Sequence, residues 1–238
     1  MLRLSLMLLT VMVGAQTAGA DEGAPGRLAS VTSSGHARPC GRLKPPRRGT
    51  KRTGKTVGWP VPEKELLVEP PARPSGNIHI YSINYKEEAE VNIYNEDGSY
   101  DVKALAEVNH IFKCRRSGLE HDIDTRLMTI LSHVYDHFGG KRIELLSGYR
   151  FQRRTTSNHF HGTAADIRIP GVDPLKIRAF VSTLDAGGMG VGWYPKVGFV
   201  HVDVREPPSY RWIDYSKSNP DARDRQLPRG FKRKNPES

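Results

Sequence analysis

Residues 157–171 read SNHFHGTAADIRIPG, and residues 196–205 read KVGFVHVDVR. In the first stretch a polar start gives way after Gly162 to Ala165, Ile167 and Ile169, apolar at every second position, with Asp166 between them. That period is a strand with one face buried, and a loop therefore delivers His159 into a strand that carries Asp166. In the second stretch Val197, Phe199, His201 and Asp203 share one side of another strand. Two strands bearing histidine and aspartate fix the centre of the domain, and the flanking segments fix its class.

Upstream, IHIYSINYKEEAEVNIYNEDGSY (78–100) alternates apolar and polar residues and carries an Asp97-Gly98 turn signal, which predicts antiparallel strands. Asp101 is placed to cap a helix over VKALAEVNHIFKC, with Leu105, Val108, Ile111 and Phe112 on one face. Asp124 precedes TRLMTILSHVYDHF, where Leu127, Ile130, Leu131, Val134 and Phe138 recur at helical spacing before Gly139-Gly140 ends the run. Ile143 to Leu146 reads as a strand, Ser147 to Arg150 as its exit and Phe151 to Asn158 as a loop. Asp173-Pro174 opens a third helix, since proline at the first helical position sacrifices no bonded N–H. Gly187, Gly188, Gly190 and Gly192 read as a lead into the last strand. The expected class is α+β, with a small, mainly antiparallel central sheet and helices packed on one side.

The flanks differ in character. Arg3, an apolar run from Leu4 to Val13 and the small residues Ala18-Gly19-Ala20 have the order of a cleavable secretory signal over 1–20. Its apolar run is shorter than the roughly 20 residues that span a bilayer, so the mature product is expected to be soluble, in the periplasm or secreted. Asp21 stands where a lipid-anchored protein has cysteine. Residues 21–75, rich in Gly, Pro, Ser, Lys and Arg, read as a disordered basic tether, and residues 216–238 as a disordered basic tail. One domain, 76–215, remains.

The formal net charge of +10 gathers in those flanks, at Arg47, Arg48, Lys51, Arg52 and Lys55 and at Lys232, Arg233 and Lys234. Basic tails of an exported chain suit anionic envelope polymers, or serve only to solvate the tails. Nucleic acid is not expected, because the folded part carries no motif that joins basic and aromatic residues. The two cysteines, Cys40 and Cys114, are too few for a zinc site of their own, and a disulfide between them is no better supported than two incidental thiols.

Three segments bring metal-competent side chains to a strand: His159 with His161, Asp166, and His201 with Asp203. Two imidazoles and a carboxylate form one of the three-ligand sets of catalytic zinc, which leaves a position for water and lowers its pKa to about 7. Histidines on strands are more often structural than ligating, and spacing alone leaves the choice among these side chains open.

SGYR (147–150), SNHFHGTAADI (157–167) and GVGWYPKVGFVHVD (190–203) closely resemble the YcbK-like murein endopeptidases. These belong to the LAS superfamily, with lysostaphin-type enzymes, D-Ala-D-Ala carboxypeptidases and the hedgehog amino-terminal domain. The shared pattern is Ser-x-His-x-x-Gly-x-Ala-x-Asp at Ser157, His159, Gly162, Ala164 and Asp166, followed by Phe-Val-His-x-Asp ending at Asp203. The resemblance implies a hedgehog-like or D-Ala-D-Ala-peptidase-like fold. It also implies one zinc ion held by His159, Asp166 and His201, and hydrolysis of peptide bonds in peptidoglycan. Asp203 is the candidate base, Arg150 the candidate partner of an oxyanion or carboxylate, and His161 an auxiliary proton carrier or a bystander. Many carboxypeptidases of the superfamily place an acid three residues before the last zinc histidine; here that residue is Gly198, which moves the base elsewhere. Asp203 two residues beyond a ligand is equally suited to hold His201 in its tautomer. The loop before His159 is short for the family. Trimming of a terminal D-alanine and zinc-containing binding without cleavage are the rival functions.

Overall fold

A computed structural model of the chain describes residues 56–216. The leader, the tether as far as residue 55, Cys40 and the basic tail from residue 217 lie outside the described residues. No helix among the described residues is long and apolar enough to cross a membrane.

The class is α+β and the sheet is mainly antiparallel, as expected, but the sheet is not small. Its eight strands are β1 (Thr56–Pro60), β2 (Asn77–Ser82), β3 (Glu87–Asn92), β4 (Ile143–Ser147), β5 (Ala164–Arg168), β6 (Met189–Tyr194), β7 (Phe199–Val204) and β8 (Tyr210–Asp214). They lie in the order β1-β8-β6-β7-β5-β4-β2-β3. β2 runs parallel to β4 and β6 parallel to β8, and the other neighbours are antiparallel.

The extra width comes from three strands, β1, β6 and β8, that the sequence does not mark as strands. β1 falls in the stretch read as tether and lies at the edge, paired with β8 from Thr56↔Asp214 to Pro60↔Tyr210. β6 falls in the glycine run read as a lead-in, yet it sits between β8 and β7. β8 follows a Pro-Pro turn and presents Tyr210, Trp212 and Asp214 to one side.

The three helices begin at the aspartates that the sequence marks. Asp101 accepts from Lys103 N and Ala104 N at the start of α1 (Val102–Ile111), Asp124 from Arg126 N at α2 (Thr125–His137), and Asp173 from Leu175 N at α3 (Pro174–Ser182). Each cap satisfies backbone donors that have no partner inside the helix, worth about 1 kcal/mol apiece.

Alternate residues of the central strands, Ile78, Ile80, Ile143, Leu145, Ala165, Ile167, Val200, Val202 and Val204, join Val108, Leu127, Leu131, Val134, Ile177 and Val181 in one buried cluster. The helices therefore cover one face of the sheet. Cutting a fully buried member such as Leu131 to alanine costs roughly 2–5 kcal/mol. The intervening residues of β5, β6 and β7, among them Asp166, Gly190, Gly192, His201 and Asp203, point to the other face, and that period of two separates the core from the polar centre.

Candidate metal centre

One row of residues crosses the sheet at a single level. Gly58 pairs with Trp212, Trp212 with Gly192, Gly192 with His201, His201 with Asp166 and Asp166 with Ser147. Residues paired this way project to the same side, so His201 and Asp166 meet without any help from a loop. Ser147 reaches the row through a bulge. Leu145 pairs with Ile167 and Ser147 with Asp166, so Leu146 is the extra residue and the strand is re-aimed beside the site.

His159 arrives from the loop between β4 and β5. Gly162 turns the chain there with φ +67, in the left-handed region that favours glycine, and its carbonyl accepts from Asp124 N at 3.0 Å. Arg150 N donates to the carbonyl of His159 at 2.9 Å.

The donor atoms form a close triangle. His201 Nδ1 lies 2.8 Å from Asp166 Oδ1, His159 Nε2 lies 3.2 Å from His201 Nδ1, and His159 Nε2 lies 3.4 Å from Asp166 Oδ1. All three side chains are buried. A tetrahedral zinc ion, bonded at about 2.0–2.1 Å, needs its donors roughly 3.3 Å apart; the 3.2 and 3.4 Å edges match that spacing, and the 2.8 Å edge between His201 and Asp166 would open slightly. The set of two imidazoles and one carboxylate therefore fits a metal ion in spacing and in chemistry.

The second nitrogen of each ring is tied down. His159 Nδ1–H donates to the carbonyl of Gly148 at 2.8 Å, which leaves the Nε2 lone pair facing the triangle. His201 Nε2–H donates to Asp203 Oδ2 at 3.0 Å, which leaves Nδ1 facing it. Such bonds fix tautomer and ring orientation in metal sites. On Asp166, Arg150 Nη2 occupies Oδ2 at 2.5 Å, so that Oδ1 is the oxygen turned to the rings, and Arg150 Nε is itself held by Ser147 Oγ at 2.7 Å.

Charge follows this geometry. Burial pushes the Asp166 carboxyl up, but His159 and the Arg150 guanidinium outweigh it and hold the group well below the usual carboxylate range. Burial and Arg150 push His159 down, toward the neutral form that a metal ligand requires. Burial also opposes charge on His201, yet its bonds to Asp166 and Asp203 prevail and raise it to about 9. Asp203 is lowered despite its burial, through His201 and Arg205.

Of the side chains singled out in the sequence, His159, Asp166 and His201 come together, with Arg150 and Asp203 each one hydrogen bond behind them. His161 is exposed and packs edge-on against Phe160, with ring centroids 5.4 Å apart, and does not join the donors. Gly198 lies in the turn before β7 with φ +81.

Three further contributors were not singled out in the sequence. The Gly148 carbonyl acts through the backbone. Arg205 donates through Nε to Asp203 Oδ1 at 2.6 Å, and its place two residues after Asp203 could have suggested it. Trp212 lies with its ring 5.1 Å from that of His201 and donates through Nε1 to Tyr194 Oη at 3.1 Å. The two glycines of β6 make room for these groups. A Cβ on Gly192 would fall 2.2 Å from Trp212 Cε2, and one on Gly190 would fall 2.2 Å from Asp203 Oδ2.

Residues 71–210 match the family described as "Peptidoglycan L,D-endopeptidase MepK". The chain belongs to the MepK family. It is 32% identical over 126 residues to the peptidoglycan L,D-endopeptidase MepK of Escherichia coli K12, an overlap that covers 48% of this chain and 67% of that protein. It is 30% identical over 114 residues to the "Probable peptidoglycan L,D-endopeptidase MepK" of Haemophilus influenzae, covering 42% of this chain and 60% of that protein. No solved structure matches the chain, so likeness to the hedgehog domain rests on the sequence resemblance alone. The MepK family match takes in every residue of the triangle together with Gly148, Arg150, Asp203 and Arg205.

Proposed function

We propose that this chain is a zinc-dependent peptidoglycan endopeptidase that hydrolyses an L,D-peptide bond in cell-wall cross-links, outside the cytoplasm, after removal of a leader. The observation that carries the reading is the triangle of His159 Nε2, Asp166 Oδ1 and His201 Nδ1, with edges of 2.8 to 3.4 Å and each ring oriented by a bond at its other nitrogen. Membership of the MepK family supplies the substrate class.

One zinc ion held by these three side chains supplies a Lewis acid for the scissile carbonyl and makes water a competent nucleophile near neutral pH. The protein groups around it orient and hold charge. Gly148 and Asp203 keep the two imidazoles in ligating tautomers. Arg150 holds Asp166 by Oδ2, so in this arrangement its guanidinium serves a ligand carboxylate in preference to an oxyanion. Asp203 is 0% exposed, with Oδ1 and Oδ2 engaged by Arg205 and Oδ2 also by His201. Those commitments favour a positioning role through His201 over direct proton transfer from water. His161, exposed and outside the triangle, is a bystander in this reading.

The test is digestion of isolated peptidoglycan by the full chain, wild type and His201→Ala, with metal content measured on the same samples. Cross-linked muropeptides should fall to monomers with about one zinc per chain, and both should be lost in the variant and in chelated wild type. Release of only terminal D-alanine would replace the endopeptidase with a trimming enzyme. Metal binding with intact peptidoglycan would make the domain a binding module.

A further inference from the structure

A cavity of about 280 Å³ adjoins the residues that orient the metal ligands. Gly148 and Arg150 line it, the same two residues that hold His159 and Asp166. Its opposite wall is the turn after α1, with Lys113, Arg115 and Arg116, while Ile111 and Leu145 give it an apolar portion. No aspartate or glutamate is among the described residues that line it. Lys113 is matched by Glu87 and Arg150 by Asp166, both from outside the cavity. Arg115 is exposed and Arg116 half-buried, and among the described residues no salt bridge draws on either, so the wall carries positive charge beyond what the protein balances.

From this we infer that the cavity is a substrate subsite for a carboxylate on a short aliphatic arm of the peptide, with Arg115 and Arg116 as the residues that select it. The inference rests on the peptidase reading of the neighbouring triangle. The apolar portion suits methylene groups, and guanidinium forks suit a planar carboxylate by paired N–H bonds. A volume of about 280 Å³ takes one side chain and excludes a polymer. Gly148 and Arg150 belong both to this lining and to the groups that hold His159 and Asp166, which places the selected carboxylate on a unit near the scissile bond.

The test compares a soluble cross-linked muropeptide dimer with free carboxylates against the same dimer amidated, using the zinc-loaded full chain. Binding of the corresponding monomers is followed by calorimetry in parallel. Wild type should prefer the acidic forms by about tenfold in kcat/KM and in affinity, the scale of one charge-assisted pair. Arg115→Gln with Arg116→Gln should bring that ratio close to one, while Arg115→Lys with Arg116→Lys keeps part of it. Equal use of acidic and amidated forms by wild type, or an undiminished preference in the glutamine variant, overturns the subsite and leaves the peptidase reading standing. An uncleaved dimer whose acidic monomer still binds through Arg115 and Arg116 overturns the reaction and leaves the subsite standing.

Discussion

His201 Nε2 donates to Asp203 Oδ2 at 3.0 Å, and this bond decides that Nδ1 is the nitrogen facing Asp166 and His159. Asp203 is in turn gripped by Arg205, so a chain of three side chains along β7 and its exit fixes one donor of the triangle. Metal ligands held from behind lose affinity when the support is removed, typically by 10–100-fold. Asp203→Asn should therefore weaken zinc binding by about that factor, with most of the activity returning at saturating zinc. Competition against a chromophoric chelator and kcat at high zinc check this. A kcat still down by about 10² or more at saturating metal would make Asp203 the base instead.

Gly192 faces His201 on one side and Trp212 on the other. Because the Trp212 ring lies across the place a Cβ would take, Gly192→Ala should destabilise the domain by about 1–3 kcal/mol and push Trp212 away from His201. Thermal unfolding and indole fluorescence read both effects. The same alanine in a Trp212→Ala background should cost much less, since the clash is then gone; equal costs in both backgrounds would mean that backbone, not the ring, makes the position selective for glycine.

Metal-free protein should have a stability maximum near pH 6.5. His201 is raised to about 9 in the folded state from an ordinary 6.5, so its contribution is complete below pH 6.5 and is lost as the pH rises through 9. His159 is lowered, so its neutral form favours folding above 6.5, and stability is lost as acid protonates it in the unfolded chain. Asp166 and Asp203, both lowered, add to the acid-side loss below the ordinary carboxylate range. The alkaline arm is of the order of 3 kcal/mol at full extent. Zinc needs Nδ1 without its proton, so the stabilisation by zinc should grow over the same interval in which the chelated protein weakens. Melting curves of chelated and zinc-loaded protein from pH 5 to 9 test this, and a chelated melting temperature that climbs between 6.5 and 9 would rule it out.

The centre of the domain was legible in the sequence because its polar residues interrupt strong patterns. Asp166 stands between alternating apolar residues, His201 and Asp203 occupy one side of FVHVDV, and three aspartates announce three helices. The side of the sheet formed by β1, β8 and β6 was not legible. β6 does alternate, with Met189, Val191 and Trp193 against Gly190, Gly192 and Tyr194, but its site-facing positions are glycines that leave space for groups from β7 and β8. A strand whose partner side chains fill its own face looks like a loop when read alone. β1, TVGWP, offers only five residues at an edge, where pairing with β8 and not composition makes it a strand. Arg150 was marked as a cation near the site, but its bond to the outer oxygen of Asp166 depends on the bulge that turns Ser147 into the row.

A last ion pair holds the glycine-rich half of the sheet from the helix side. Arg211 of β8 meets Asp185, just before β6, at 2.5 Å, and Asp185 also accepts from Ser209 Oγ at 2.8 Å and Gly187 N at 2.9 Å. The Arg211 and Asp185 side chains are 7% and 0% exposed, so removing either partner strands a buried charge, at a cost of roughly 3–5 kcal/mol. Asp185→Ala should therefore lower the melting temperature by roughly 10 °C, at about 2–4 °C per kcal/mol for a domain of this size. The pair lies on the opposite side of β8 from Trp212, so molecules that do fold should keep their zinc stoichiometry. Replacing both partners at once, Asp185→Leu with Arg211→Met, should cost less than Asp185→Ala alone, because no charge is left behind. A double variant less stable than the single one would mean that the Ser209 and Gly187 bonds to Asp185, not its charge pairing with Arg211, hold this corner of the sheet.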